Sequence, residues 1–232
     1  VIVTAVLCGL LGLPAGWFAQ VLVDRIPDRL PLLRPVPAVP RQGRALLVVA
    51  VTVVLYGAAG LRFAGDPGEL VGALVLFCAL VALTFIDIDH QRLPDRITGP
   101  AYLAMMAIIV VSSLWTRQPE RIRWALLGAA IYVVGLGIGW LIGMGFGDVK
   151  AGGVMGLYVG WLGTSAVHSV SLTLWALIIG TSTASVYGIM ARRRHRRSAD
   201  GADGRQWFAF GPFLVLGAVI VILFGPALVP AR

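Results

Sequence analysis

Charge is scarce in this sequence and lysine nearly missing: only 13% of the 232 residues are charged, and a single lysine, Lys150, stands against eighteen arginines. Soluble domains carry roughly 25% charged residues, so a water-facing fold is excluded. Cysteine is equally sparse. Cys8 and Cys78 both lie in apolar stretches, where a free thiol acts as a small hydrophobe. There is no Cys-x-x-Cys pair, and His90, His168 and His195 are scattered, so the sequence supports no metal site and implies no cofactor. Repeats, low-complexity tracts and a second soluble domain are missing as well.

What is present is apolar. Hydrophobic residues make up 58% of the chain and the mean hydropathy is +0.87. A spanning helix needs about 20 mainly apolar residues. Such stretches fall at about Val1–Val23, Ala45–Phe63, Glu69–Ile86, Ile97–Trp115, Trp124–Ile142, Val149–Leu162, Ser165–Ala191 and Trp207–Val229. The fold class expected is all-α, a polytopic membrane protein of about eight transmembrane helices in one helical domain. The sixth stretch is short and could reach only part of the way across. The first is followed by Asp24-Arg25-Ile26-Pro27 and lacks a small-residue cleavage site, so it reads as a retained helix.

Arginine placement sets the orientation, because basic loops stay in the cytoplasm. With the loop after the first helix cytoplasmic, that side gathers fourteen of the nineteen basic residues, among them Arg92, Arg96, Lys150 and the run Arg192–Arg197. The other side keeps Arg62, Arg117, Arg121, Arg123 and Arg232. This bias accounts for the net charge of +8 without nucleic acid, which is not an expected partner. Arg192–Arg197 reads as a stop-transfer anchor touching anionic lipid head groups. Pro27–Pro40, with Pro31, Pro35 and Pro37, reads as a stiff loop.

Two short runs then hold most of the carboxylates near membrane depth: Asp87-Ile-Asp-His-Gln-Arg-Leu-Pro-Asp95 and Gly143-Met-Gly-Phe-Gly-Asp148-Val-Lys150. An ionisable group in a span costs about 2–4 kcal/mol, which makes it a functional-site candidate. Asp148 could instead merely cap the sixth helix, since Asp is a preferred N-cap. For Asp87 the bland reading is weaker, because a helix C-terminus disfavours a carboxylate. Asp95 reads as a helix-start residue and Asp89 as facing water. Gly152, Gly156 and Gly160 lay a small-residue stripe along the sixth helix, a means of close helix approach that would help bring Asp87 and Asp148 together. Two such carboxylates suit aspartyl protease chemistry, sharing one proton because like charges at short range cannot easily both ionise. They could equally bind a cation or relay protons, and spacing alone does not separate these.

The run Phe85-Ile-Asp87-Ile-Asp-His-Gln-Arg-Leu-Pro-Asp95, followed by Gly143-Met-Gly-Phe-Gly-Asp148-Val-Lys150 and a glycine-rich helix, resembles the paired signature of the type IV prepilin peptidases, membrane aspartyl proteases of the GxGD type. Gly16-Trp-Phe-Ala-Gln-Val-Leu-Val-Asp-Arg25-Ile-Pro27 and Phe210-Gly-Pro-Phe213 are similar to two further segments of that family. The resemblance implies Asp87 and Asp148 as the catalytic pair. Gly145, Gly147, Lys150 and Asp95 are expected to shape the site or meet the substrate. It also implies removal of a short basic leader from prepilins or pseudopilins, typically after a glycine, at the cytoplasmic face of a bacterial membrane. From the helix poles, Asp148 is expected to be the base and Asp87 the acid.

One departure from the family bears on activity. Many bacterial members carry two Cys-x-x-Cys pairs after the first helix, associated with N-methylation by S-adenosylmethionine, whereas Pro27–Arg44 holds no cysteine. The expectation is a peptidase without methylation, divided into residues 1–44, a first helix with a reduced cytoplasmic loop, and 45–232, the membrane-embedded peptidase core. The sequence is compatible with a homo-oligomer. The alternative is a proton- or cation-coupled transporter using the same aspartates, which predicts an inverted repeat and helices broken near the midplane; neither is visible.

Overall fold

The computed structural model describes residues 1–27, 42–141, 143–197 and 209–229. Most of the Pro-rich segment, Arg205, and the side chains of Arg192–Arg197 lie outside the described residues.

Eight helices carry the described chain: α1 Ile2–Arg25, α2 Gln42–Arg62, α3 Pro67–His90, α4 Asp95–Trp115, α5 Glu120–Leu141, α6 Phe146–Trp161, α7 Ala166–Arg197 and α8 Gly211–Leu228. Seven are long and apolar enough to cross a membrane, and α6 is the exception. At 16 residues it falls below the length a lone span requires. Its compensation is enclosure: from Asp148 to Trp161 every residue except Lys150 is buried. A helix apolar all round and covered on all sides needs neighbours, not lipid. Around it the bundle presents Leu10, Leu46, Leu103 and Trp115 outward, an apolar exterior suited to hydrocarbon. The chain is a multi-pass membrane protein.

Glycines decide which helices touch backbone to backbone. A Cβ on Gly12 or Gly16 would stand 2.7 Å from Val53 Cα or Val49 Cα, so α1 lies directly against α2. The α6 stripe behaves likewise, but its partner differs from the expected one. Cβ atoms on Gly156 and Gly160 would come within 2.5 Å of Gly128 O and 2.4 Å of Trp124 O, and Gly152 faces Tyr132 and Leu136. The stripe therefore packs α6 antiparallel onto α5, and the approach of α6 to α3 rests on other contacts. Gly72 of α3 receives the Tyr158 ring of α6, for example.

At the end of the bundle away from the aspartate runs, a buried polar cluster joins four helix termini. Arg121 (α5) donates to the Trp161 carbonyl at 3.0 and 3.2 Å, pairs with Glu69 (α3) and lies over the Trp161 ring. Trp161 Nε1 donates to Ser113 Oγ of α4 at 2.9 Å, and Tyr158 OH donates to the Glu69 carbonyl at 2.5 Å. The Arg121 guanidinium thus satisfies a carbonyl at the C-terminus of the shortest helix, where no intrahelical donor remains.

Candidate active site

α3 begins on a strong signal. Asp66 caps it, accepting the Glu69 N–H at 3.0 Å, and Pro67 sits at its first position. Its far end runs past the apolar stretch to His90 and closes on Gln91 in the left-handed conformation, φ 50°. Asp87 is consequently in the last turn, 5% exposed. The field of that helix end opposes a carboxylate, and the fold supplies the offset. Gly211, the first residue of α8, donates its N–H to Asp87 Oδ2 at 3.0 Å. The positive pole of one helix therefore faces the group that the negative pole of another repels. Only glycine permits this approach, since a Cβ at position 211 would lie 2.8 Å from Asp87 Oδ2.

Asp148 enters from the opposite side. Gly145 is the N-cap of α6, and Asp148, in the first turn, makes no capping bond. Its role as a simple cap is thereby set aside. The residue is 8% exposed, and its Oδ1 is buried without a hydrogen-bond partner. Of the loop glycines, Gly143 needs its flexibility outright, with φ at +109°. Gly147 matters through space: a Cβ there would stand 2.9 Å from Leu93 Cβ. Bare backbone at 147 lets the first turn of α6 press on Leu93 of the first run, one of the contacts, apart from the glycine stripe, that join the two runs.

Asp148 and Gly211 share the lining of one small cavity, with Thr84, Leu93, Met155 and Leu214 among the other walls. Asp87, bonded to Gly211, is one hydrogen bond from that lining. Leu93 has a second face. It also lines a groove of about 540 Å³ bounded by Ile26, Pro27, His90, Arg92, Asp95 and Arg96.

The other expected residues group around this centre. Lys150 Nζ meets both Asp95 oxygens at 2.8 Å and lies 5.1 Å from the Phe146 ring centroid, so these two satisfy each other across α4 and α6. Asp89, expected to face water, is exposed and also pairs with Arg44 of α2. Among the described residues no group of three or more His, Cys, Asp or Glu converges as a metal site would require.

Three contributors escaped the sequence reading. Tyr102 of α4 donates to the Lys150 carbonyl at 3.0 Å and fixes α6 beside Asp148. Leu93 and Thr84 line the cavity. Thr84 alone had a legible signal, being three residues before Asp87 and so on the same helix face.

A family model described as "Type IV leader peptidase family" matches residues 74–189, half of the chain. Among curated relatives, a prepilin leader peptidase/N-methyltransferase of Xanthomonas campestris pv. campestris is 31% identical over 191 residues, covering 79% of this chain and 60% of the relative. Proteins of the same name from Aeromonas hydrophila (29% over 197 residues, 82% and 61% covered) and Myxococcus xanthus (30% over 195 residues, 68% and 56% covered) are also similar. The chain thus spans 56–61% of the length of these relatives. No solved structure matches it.

Proposed function

Because the chain belongs to the type IV leader peptidase family, we propose that it is an intramembrane aspartic endopeptidase. Its substrates are type IV prepilins or pseudopilins, whose short basic leader it removes at the cytoplasmic face of a bacterial membrane. The observation that carries this reading is that the buried Asp148, in the first turn of α6, and Gly211, which holds the buried Asp87 at the C-terminal end of α3, line one cavity.

The chemistry follows from which oxygens are engaged. Asp87 Oδ2 is held by Gly211, whereas Asp148 Oδ1 has no partner and belongs to a residue lining the cavity. Both carboxylates now sit near a helix N-terminus, so helix poles no longer distinguish them, but access does: the unpartnered Oδ1 of Asp148 is the oxygen left to accept from a water in the cavity. Asp148 takes a proton from water, the water oxygen attacks the scissile carbonyl carbon, and Asp87 delivers its proton as the C–N bond breaks. The dyad ends with its single proton on Asp148 and resets by returning it to Asp87. Locating the resting proton on Asp148 would reverse this assignment.

The product N-terminus is left unmethylated in this reading. Its support is the stretch Pro27–Arg44, which has no cysteine. Co-expression with a panel of prepilin-like substrates tests both parts. Wild type is expected to release the leader, Asp87→Asn and Asp148→Asn to leave it attached, and the product to show no added methyl mass. A well-folded wild type that cleaves nothing would overturn the peptidase in favour of the transporter.

A further inference from the structure

The cavity beside Asp148 is very small, about 10 Å³, which is the room one water molecule occupies. Most of its wall is apolar: Leu80, Leu83, Leu93, Ala151, Met155 and Leu214 contribute. Two of its lining residues nevertheless carry a buried side-chain oxygen with no hydrogen-bond partner, Thr84 Oγ1 and Asp148 Oδ1. An unsatisfied buried oxygen is destabilising by about 1–3 kcal/mol, and two such atoms around one cavity call for a common partner. A single water supplies it. It needs two to four polar neighbours, and Thr84 and Asp148 provide two.

Thr84 is otherwise hard to account for. Threonines elsewhere in these helices turn the hydroxyl back to the carbonyl four residues earlier, as Thr52, Thr173 and Thr181 do at 2.7–2.8 Å. Thr84 makes no such bond, and lies one turn before Asp87 on α3.

From these observations we propose that Thr84 is a positioning residue that holds the attacking water against Asp148. The inference deepens the peptidase reading above and rests on it. The water donates one hydrogen to Asp148 Oδ1 and the other to Thr84 Oγ1. Its lone pairs are then left to face the scissile carbonyl carbon. As the O–C bond forms, the first hydrogen passes to Asp148 as a proton, the amide nitrogen takes the proton of Asp87, and the C–N bond breaks. Thr84 keeps its own hydrogen throughout and changes no charge.

The experiment compares wild type, Thr84→Val and Thr84→Ser as full-length chains in membranes, with steady-state cleavage of a prepilin-like substrate. Val keeps the shape and removes the oxygen, while Ser keeps the oxygen. A misplaced nucleophile lowers turnover about 10²-fold, so Thr84→Val is expected to lose that much kcat with KM unchanged, and Thr84→Ser to recover most of it. A merely structural role would lower the amount of folded enzyme without this split. Wild-type turnover in Thr84→Val, or equal loss in Val and Ser variants, overturns the proposal while leaving the peptidase intact. An inactive wild type instead removes the reading on which it rests. Should Thr84→Val fail to accumulate, a high-resolution structure of the wild type decides the matter. An ordered water bonded to both oxygens is the expected result, and its absence overturns the assignment.

Discussion

Asp87 and Gly211 approach too closely to admit a side chain between them. A methyl group at 211 would stand 2.8 Å from the carboxylate oxygen it now serves, so Gly211→Ala is expected to displace α8 or Asp87 and cut cleavage about 10²-fold. Gly99→Ala, where a Cβ meets nothing within 4 Å, is the matched control and is expected to cleave as wild type. Substrate cleavage by both, at equal amounts of membrane-inserted protein, checks this. Leu93 governs a different property. Its side chain divides the groove of about 540 Å³ from the cavity of about 10 Å³. Leu93→Ala is expected to join them and raise cleavage of substrates with Ala, relative to Gly, before the scissile bond. Parallel assays on the two substrates read that ratio. Asp87 and Asp148 were legible as single residues because carboxylates are costly at membrane depth. Leu93 and Gly211 were not legible as partners, because their roles arise from backbone approach across elements far apart in sequence.

Among the helices, the α5–α6 pair carries the greatest sensitivity to volume. Gly156→Leu would drive a side chain into the Gly128 carbonyl, and overpacking of this kind is destabilising by about 1–3 kcal/mol or more. Thermal unfolding in detergent should show the loss. The Arg121–Glu69 pair, at 11% and 16% side-chain exposure, is more severe to break. Arg121→Met would leave Glu69 buried and uncompensated, for an expected loss of about 3–5 kcal/mol, with Arg121→Met/Glu69→Leu recovering part of it. Lys150 and Asp95 form the opposite case. At 37% and 70% exposure their coupling in a double-mutant cycle is expected to stay under about 1 kcal/mol. Sequence reading located all eight helices but drew several ends short. α3 continues to His90, beyond Ile86, and α7 to Arg197, beyond Ala191. Apolarity marks where hydrocarbon ends, while hydrogen bonding and a left-handed residue such as Gln91 mark where a helix ends. The α6 stripe announced a close approach without naming its partner, since small residues permit contact with any helix equally.

Across the whole molecule, polarity is concentrated at the two ends of α6. One end has the paired aspartates, and the other has Arg121, Glu69 and Ser113 gathered about Trp161. The class of protein was plain from composition, because a chain this apolar must face lipid over most of its surface. Topology was less accessible. An amphipathic pattern separates core from water, but a membrane bundle is apolar both inside and outside, so α6, the most enclosed helix, looked like its lipid-facing neighbours in all but length.

The hydrogen bond from Gly211 to Asp87 also sets an order of events in biosynthesis. Asp87 emerges from the ribosome with α3, yet the backbone donor that seats it belongs to α8, 124 residues later. Until α8 is threaded and docked, the nascent chain holds both aspartates without their finished arrangement. A partly made copy, surrounded by other newly inserted helices, therefore carries Asp87 without the backbone donor that seats it.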